Sequence, residues 1–575
     1  MCNLNWNLDN IYTGVDSADF KKDLADYEVK LKEMNSWCEN NLNEYNTAVT
    51  KEYIDRKNLL LEYESLDIYC NLALSVDTSN SDIAKALDKI ESLNALNSIH
   101  EALFINYLKA YKEDDSLKEH SYFLSCAYKN AKHTLSPQEE LIISKMKTTG
   151  SAAWEKQWEQ LTSNLDVEID GEVKSLSTVR NYAYSEDGCL RKRGYEAELK
   201  AYEKISTAGC FSLNSIKGQV INEAEMRGYE NPLEMTLEFS GIDKKILDTM
   251  LDAIREKSYI FEKYFIKKAE LMGYKNGLPF YELFAPIGKS SLSFSVEEAK
   301  EIVLNGFKTF SDRLSEYAEN AFKNRWIDFM PKKGKVGGAY CSAIHSVGES
   351  RIMTNFGNTY NDVITIAHEL GHGYHDSMLV NATPLNSGYP MPIAETASTF
   401  CETIVNSYML DKVDKDTKIF ILENDIQGIA QTIIDIYSRF IFEDNFFKER
   451  KKGTLSVEET NSLMLSAQKQ AYGKGLDHNY LHPYMWLCKP HYYDCEFNYY
   501  NFPYAFGVML SRGFYTKFLQ DKEKFVPVYN KMLVATGTNH IKDVAKIAGI
   551  DLYDKKFWIS GLESFEEEIN QLFEL

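Results

Sequence analysis

The amino-acid sequence predicts a mainly α-helical chain that carries only two small β elements, and three observations support this. Residues 15–136 contain neither glycine nor proline, and without those breakers long uninterrupted helices are the economical reading. A well-formed helix start stands at Ser136-Pro137-Gln138-Glu139, with a serine cap, proline at the first position and glutamate at the third. Strand signals are confined to residues 165–176 and to the stretch 331–360, which is rich in Gly, Lys and Ser.

In chain order, repeating apolar positions such as Leu59, Leu60, Tyr63 and Leu66 suit helices packed in a bundle. Helical sequence continues from Ser136 through Trp154 and Trp158. Val167-Glu168-Ile169 and Glu172-Val173-Lys174 then flank Asp170-Gly171, which predicts a β-hairpin. A boundary falls near residue 190, giving an amino-terminal helical part, 1–190, and a second part, 191–575. The helix containing Tyr195 shows no break, so the two parts could share a core. Leu247, Met250, Leu251 and Ile254 mark one long amphipathic helix from Asp243 to about Met272. Residues 277–286 read as a loop. The segment 351–356 reads as a strand, Gly357-Asn358 as a turn, and Asn361 or Asp362 as the cap of the next helix. Helical sequence resumes from Ile419 to Lys451 and again to about residue 474.

Composition narrows the function. The formal net charge of −21 disfavours nucleic acid, which rewards concentrated Lys and Arg. No stretch approaches 18 uninterrupted apolar residues, so no membrane span is expected. The opening Met1-Cys2-Asn3-Leu4-Asn5-Trp6 lacks the basic and apolar regions of a signal peptide. Ten scattered cysteines fit reduced thiols. Together these point to the cytoplasm.

The chemistry concentrates at His368-Glu369-Leu370-Gly371-His372, with Glu395 23 residues past the second histidine. On a helix, residues four apart stand one turn above each other, so His368 and His372 can aim at one point. Glu369, about 100° round the helix, cannot easily join the same inner sphere but occupies the general-base position of this motif. Two histidines and a distal carboxylate form the His₂Glu set of a catalytic zinc site, one ion per chain, with one position open. With 11 histidines in 575 residues, the pattern arises by chance about once in a hundred such chains. Gly371 and Gly373 each cost about 1 kcal/mol against alanine inside a helix, which is explained if another backbone comes close. The segment Ile393–Glu402 also has helical character and places Glu395, Ser398 and Glu402 on one face. Glu402 or Asp362 could fix the tautomer of a ligand histidine. His375 lies one turn too far to be a ligand, and Cys341 and Cys401 read as packing residues.

The pattern His-Glu-Leu-Gly-His followed by His375 and by Ala394-Glu395-Thr396-Ala397-Ser398-Thr399-Phe400 resembles the thimet oligopeptidase and oligoendopeptidase F family of zinc metallopeptidases. The resemblance spans nearly the whole chain and is strongest toward the oligoendopeptidase F branch. It implies a multi-helical zincin-like fold with a small β-sheet beside the active-site helix and a deep substrate channel. It also implies an endopeptidase acting on short unstructured peptides, in which a zinc-activated water attacks the carbonyl with Glu369 as general base and acid. In this family a histidine followed by spaced tyrosines lies opposite the zinc. Lys489-Pro490-His491-Tyr492-Tyr493 with Tyr499-Tyr500-Asn501-Phe502-Pro503-Tyr504 resembles that segment. The resemblance thus points to His491, Tyr500 and Tyr504 as catalytic, with Tyr493 or Tyr499 as alternatives for either tyrosine role. His478 and His482 read as structural or solvated. Gly337-Gly338-Ala339-Tyr340-Cys341 resembles the family's glycine-containing segment before an edge strand, where a peptide backbone could pair; a plain hairpin loop is the alternative.

Two rivals use the same residues. One is a zinc exopeptidase on the same ligand set, and the other is a peptide-binding scaffold without turnover. Cleavage preference and oligomeric state are not written in the sequence.

Overall fold

A computed structural model describes residues 4–287 and 292–575, so the first three residues of the opening segment lie outside it. The described chain is dominated by helices, with one two-stranded and one three-stranded sheet. It divides into two compact units, each assembled from separated segments. Among the described residues, no helix is long and apolar enough to cross a membrane.

The first unit comprises Met1–Thr134, Ser291–Lys412 and Lys517–Ile550. Its first segment is helical as expected, but not as long uninterrupted rods. Ala18–Asn41 runs for 24 residues, and Thr47–Leu61, Glu64–Val76, Ser81–Asn94, Asn97–Tyr107 and Ser121–His133 are shorter. Polar caps mark two of the internal starts, while the helices from Glu64, Asn97 and Ser121 start with no capping side chain. Asn46 accepts from the amides of Ala48 and Val49, and Asn80 from those of Asp82 and Ile83. Such side chains satisfy the free first-turn N–H groups and start a new helix wherever they stand. Phe20, Leu31, Ile54, Leu66, Phe104 and Leu124 close the core of this bundle.

The three-stranded sheet of this unit has β4 (Tyr340–Ile344) on one edge, β5 (Glu349–Met353) in the middle and β3 (Ile327–Asp328) on the other. β3 pairs parallel and β4 antiparallel to β5. The central strand therefore begins and ends slightly earlier than the predicted 351–356. Trp6 packs with Leu72, Ile344 and Met353. The fully buried Arg351 donates to the Asn7 carbonyl at 2.9 Å and to Asn10 Oδ1 at 2.6 Å, which fastens the opening segment to the sheet.

The second unit comprises Leu135–Ser290, Val413–Thr516 and Asp551–Leu575. Ser136 forms the expected capping box with Glu139. The hairpin is present as β1 (Asp166–Ile169) and β2 (Glu172–Ser175), with Asp170 at φ 52° and Gly171 at φ 79°. Two successive positive φ values match the tight turn for which Asp-Gly is selected. The spine of the unit is the 39-residue helix Gly188–Met226. Where one long helix was expected from Asp243, there are two, Lys244–Lys257 and Tyr259–Leu271, separated at Ser258. Buried ion pairs tie the helices together. Lys217 meets Glu443 at 2.6 Å with both side chains 1% exposed, and Lys268 meets Glu423 at 2.7 Å.

Candidate active site

The helix that carries the motif histidines, Tyr360–Leu379, starts from Thr359 rather than from Asn361 or Asp362. Thr359 Oγ1 accepts from the Asp362 amide, and the Asp362 carboxylate accepts from the amides of Gly357 and Thr359, a capping box with aspartate in the third position. Asp362 is thereby spent on the helix start and does not support a ligand histidine. Asn358, at φ 66°, makes the turn out of β5. Val363, Ile366, Ala367 and Leu370 are fully buried and fix which side of the helix faces outward.

Gly371 and Gly373 are explained by close neighbours. A Cβ on Gly371 would stand 2.7 Å from Ser398 Cα and 2.8 Å from the Ala397 carbonyl oxygen, both backbone atoms of the helix Met391–Leu410. On Gly373 it would stand 2.1 Å from the Tyr317 hydroxyl. The missing side chain at Gly371 lets the two helices touch backbone to backbone at the level of the histidines.

That contact brings three donors together. His368 Nε2 and His372 Nε2 lie 3.1 Å apart, and Glu395 Oε2 lies 3.3 Å from the first and 3.8 Å from the second. A triangle with these sides has a point about 2.0 Å from every corner, which is the distance at which imidazole nitrogens and carboxylate oxygens hold zinc. Among the described residues this is the one His/Cys/Asp/Glu group of metal-binding geometry. Cys341 and Cys401 are outside it, and His375, fully buried, bonds Thr536 Oγ1 at 2.8 Å instead.

Around the donors the charges are arranged for a cation. His368 Nδ1 is hydrogen-bonded to Glu402 Oε1, so of the two sequence candidates for that role Glu402 fills it. Burial opposes protonation of His368, but its bonds to Glu395 and Glu402 outweigh burial and hold its pKa well above the usual imidazole value. Burial and the charge on His368 push His372 down to about 4. Burial raises Glu395, but its contact with His368 prevails and holds it below the usual carboxylate range. The carboxylates of Glu395 and Glu402 thus favour positive charge at this point, and a divalent cation fits the same donors. Glu369 is 6% exposed, and burial pushes its pKa up to about 7.

In the second unit, His491, Tyr500 and Tyr504 form a contiguous half-buried group. The rings of His491 and Tyr500 stack at 6.0 Å, and those of Tyr500 and Tyr504 meet edge-on at 5.9 Å. The two alternative tyrosines are used in packing. Tyr493 is fully buried and stacked on Trp158 at 4.7 Å, while Tyr499 is 3% exposed with its hydroxyl on Asp444. His478 is exposed, and His482 is buried 3.6 Å from Glu198, as structural histidines. Sequence reasoning passed over Arg439. Held by Asp435, it donates to Asn501 Oδ1 at 2.9 Å and so anchors the residue next to Tyr500. Its only signal was an Asp and an Arg four apart on a helix, a spacing usually found at the surface. Tyr389 was also missed: it donates to Asp376 at 2.8 Å and stacks on His375 at 3.8 Å.

A helix pair that presents two histidines and a glutamate to one point, beside a small mixed sheet, defines a zincin-like metallopeptidase. The chain belongs to peptidase family M3, whose model matches residues 181–564, and the Oligopeptidase F model matches residues 96–166. It is 25% identical over 606 residues to an oligoendopeptidase F homolog of Borreliella burgdorferi, covering 99% of this chain and 98% of that one. It is 24% identical over 529 residues to oligopeptidase PepF of Bacillus subtilis, covering 88% of this chain and 78% of the relative. The crystal structure of oligoendopeptidase-F from Enterococcus faecium superposes with a TM-score of 0.69 at 18% identity, over 97% of this chain and 98% of that one. The protein is a metal-dependent oligopeptidase, a hydrolase of peptides.

Proposed function

We propose that this chain is a zinc-dependent endopeptidase that hydrolyses internal bonds of short unstructured peptides, with His368, His372 and Glu395 as ligands and Glu369 as general base and acid. The observation that carries this reading is the donor triangle, with a point about 2.0 Å from each corner and with Glu369 buried beside it. A zinc ion bound there supplies a Lewis acid that polarises the scissile carbonyl and brings the pKa of water to about 7. Glu369 then takes the proton of the attacking water and delivers it to the leaving amine. Burial raises the Glu369 carboxyl above the ordinary carboxylate range, which suits a group that both accepts and returns a proton. Glu402 keeps the other ring nitrogen of His368 occupied, which fixes the tautomer that presents Nε2.

His491, Tyr500 and Tyr504 serve in this proposal as donors to the oxyanion of the tetrahedral intermediate, each well-placed donor contributing about 3 kcal/mol. The exposed edge of β4 is the surface on which an extended peptide backbone pairs. The described cysteines are all free, which supports a reducing compartment, the cytoplasm. The division near residue 190 is kept as a division along the sequence; each compact unit draws on both sides of it.

The deciding experiment is a fluorogenic peptide blocked at both ends, incubated with the zinc-loaded protein with and without a chelator. Cleavage at an internal bond that stops on chelation is expected. Turnover only of peptides with a free terminus would make the protein an exopeptidase, and no turnover of either kind would make it a scaffold.

A further inference from the structure

The second unit contains a cavity of about 320 Å³ whose lining includes none of the residues assigned to the reaction. It opens among the short helix Leu176–Asn181, the long helix Gly188–Met226, the loop around Phe280–Glu282 and the helices on either side of Gln431. This volume is at the lower end of sites that take small organic ligands. Its walls combine aromatic rings with a few charges, and those charges do not cancel.

Of the cations at the wall, Arg191 is spent on Glu282 at 2.5 Å and on the Ser185 carbonyl. Arg180 is engaged by Glu198 at 3.3 Å. Asp435, an anion at the wall, is neutralised by Arg439. Lys489 is left over: it lines the cavity half-buried, and its ammonium makes no hydrogen bond or close ion pair among the described residues. Burial holds its pKa below the ordinary lysine value, with the charges of Arg439 and Arg180 pushing the same way against the attraction of Asp435, which Arg439 already holds. A second group at the wall is matched on one side only, by Glu198 at 3.6 Å. His482, 1% exposed, has no hydrogen-bond partner on Nδ1. An uncompensated buried cation in a native fold is costly, and an anion that enters the cavity relieves it.

The rest of the wall says what body that anion has. Tyr184 and Phe284 pack at 5.0 Å, Tyr195 and Tyr281 at 5.5 Å, and Phe280 stands 5.2 Å from the His482 ring. These rings offer flat apolar surface, and the amide of Gln431 offers the added polar contact that orients a ligand. One free cation calls for a monoanion, since a second charge would have no partner.

We propose that this cavity binds a small aromatic monocarboxylate, no larger than a dipeptide, with its carboxylate on Lys489 and its ring among Tyr184, Phe280 and Phe284. The ligand can come as a free aryl acid or as the carboxyl end of a peptide product, and both share this chemistry. The cavity's lining includes none of the residues assigned to the reaction.

The test is calorimetric titration of the zinc-loaded protein with N-acetylphenylalanine, with its uncharged amide and with the dipeptide alanyl-phenylalanine. The acid should bind at one site, and the amide at least tenfold more weakly. The dipeptide separates the sources: affinity within threefold of the acid points to peptide ends, and weaker binding to free aryl acids. Lys489→Met should weaken the acid at least tenfold and Lys489→Arg should preserve it, while His372→Ala, which removes a metal ligand, should leave it unchanged. Photolabelling of the unaltered protein with 4-benzoylbenzoate should place adducts on residues 180–184, 280–284 or 427–431, and it needs no variant to fold. Equal binding of acid and amide, full affinity in Lys489→Met, loss of binding in His372→Ala, or adducts confined to other segments would each overturn the proposal.

Discussion

Replacing Gly371 by alanine adds one methyl group at the point where the two site helices touch. The added Cβ would stand 2.7 Å from Ser398 Cα and 2.8 Å from the Ala397 carbonyl oxygen, against about 3.5–4.0 Å for carbon contacts at rest. Both neighbours are backbone, so relief requires the helices to part by about 1 Å. That motion carries Glu395 away from the histidines. Lengthening its two separations of 3.3 and 3.8 Å by that amount moves the common point from about 2.0 Å to about 2.4 Å from each donor, beyond zinc bonding distance. Stability should respond less. Overpacking costs about 1–3 kcal/mol, and alanine returns about 1 kcal/mol of helix propensity. The variant should therefore stay folded while its zinc affinity falls at least tenfold, as read by competition with a fluorescent chelator. Gly428→Ala serves as the control: nothing lies within 4 Å of its added Cβ, so it should gain stability at unchanged affinity. Zinc affinity within twofold of the parent in Gly371→Ala, with melting unaltered, would refute the claim that helix spacing sets the ligand geometry.

Further outcomes follow from the same contacts. Glu369→Gln should keep its zinc and lose turnover by several orders of magnitude; normal kcat in a zinc-loaded variant would remove Glu369 from the mechanism. Glu402→Ala should weaken zinc binding about 10- to 100-fold through loss of the His368 bond, with elemental analysis after dialysis as the measure. Tyr500→Phe should lower kcat about 10²- to 10³-fold if its hydroxyl meets the oxyanion, with little change in zinc content; unchanged kcat would exclude the role. Acid should destabilise the protein through His100, which is fully buried, accepts from Lys57 Nζ at 3.1 Å and faces Asn35 Oδ1 at 2.8 Å. Burial lowers its folded pKa to about 3, below about 6.5 in the unfolded chain. The unfolded state therefore binds more protons between those values, and stability is lost as pH falls below about 6.5, by about 2 kcal/mol at pH 5. Denaturant unfolding at pH 7 and pH 5 should show His100→Gln losing about 2 kcal/mol less than the parent over that interval.

What could be read ahead of the structure was whatever depends on residue spacing. The histidine pair is set by the helical repeat, the hairpin by Asp170-Gly171, the helix start at Ser136 by its capping residues, and the backbone approach at Gly371 by the cost of glycine in a helix. What escaped depends on choices that several residues could make. Thr359, Asn361 and Asp362 can all cap, and only the geometry of Gly357-Asn358 selects the first. Within residues 15–136 the helices from Thr47 and Ser81 start at asparagine caps whose side chains look the same in a helix interior, and those from Glu64, Asn97 and Ser121 start with no capping side chain. The break at Ser258 has no capping side chain at all. The assembly of each unit from distant segments rests on long-range packing, which has no period in the sequence. The group at His491 came from family resemblance, and the anchoring of Asn501 by Arg439 came only with coordinates.

On the proposed pairing of substrate with β4, the strand's position at the rim of its sheet bears on selectivity. Its outer edge can be matched only by a chain whose own amides are free. A helix or a sheet interior has already committed its N–H and C=O groups, and a proline has no N–H to give at alternate places. Discrimination against folded proteins would on this basis begin with backbone valence, before any side chain is inspected.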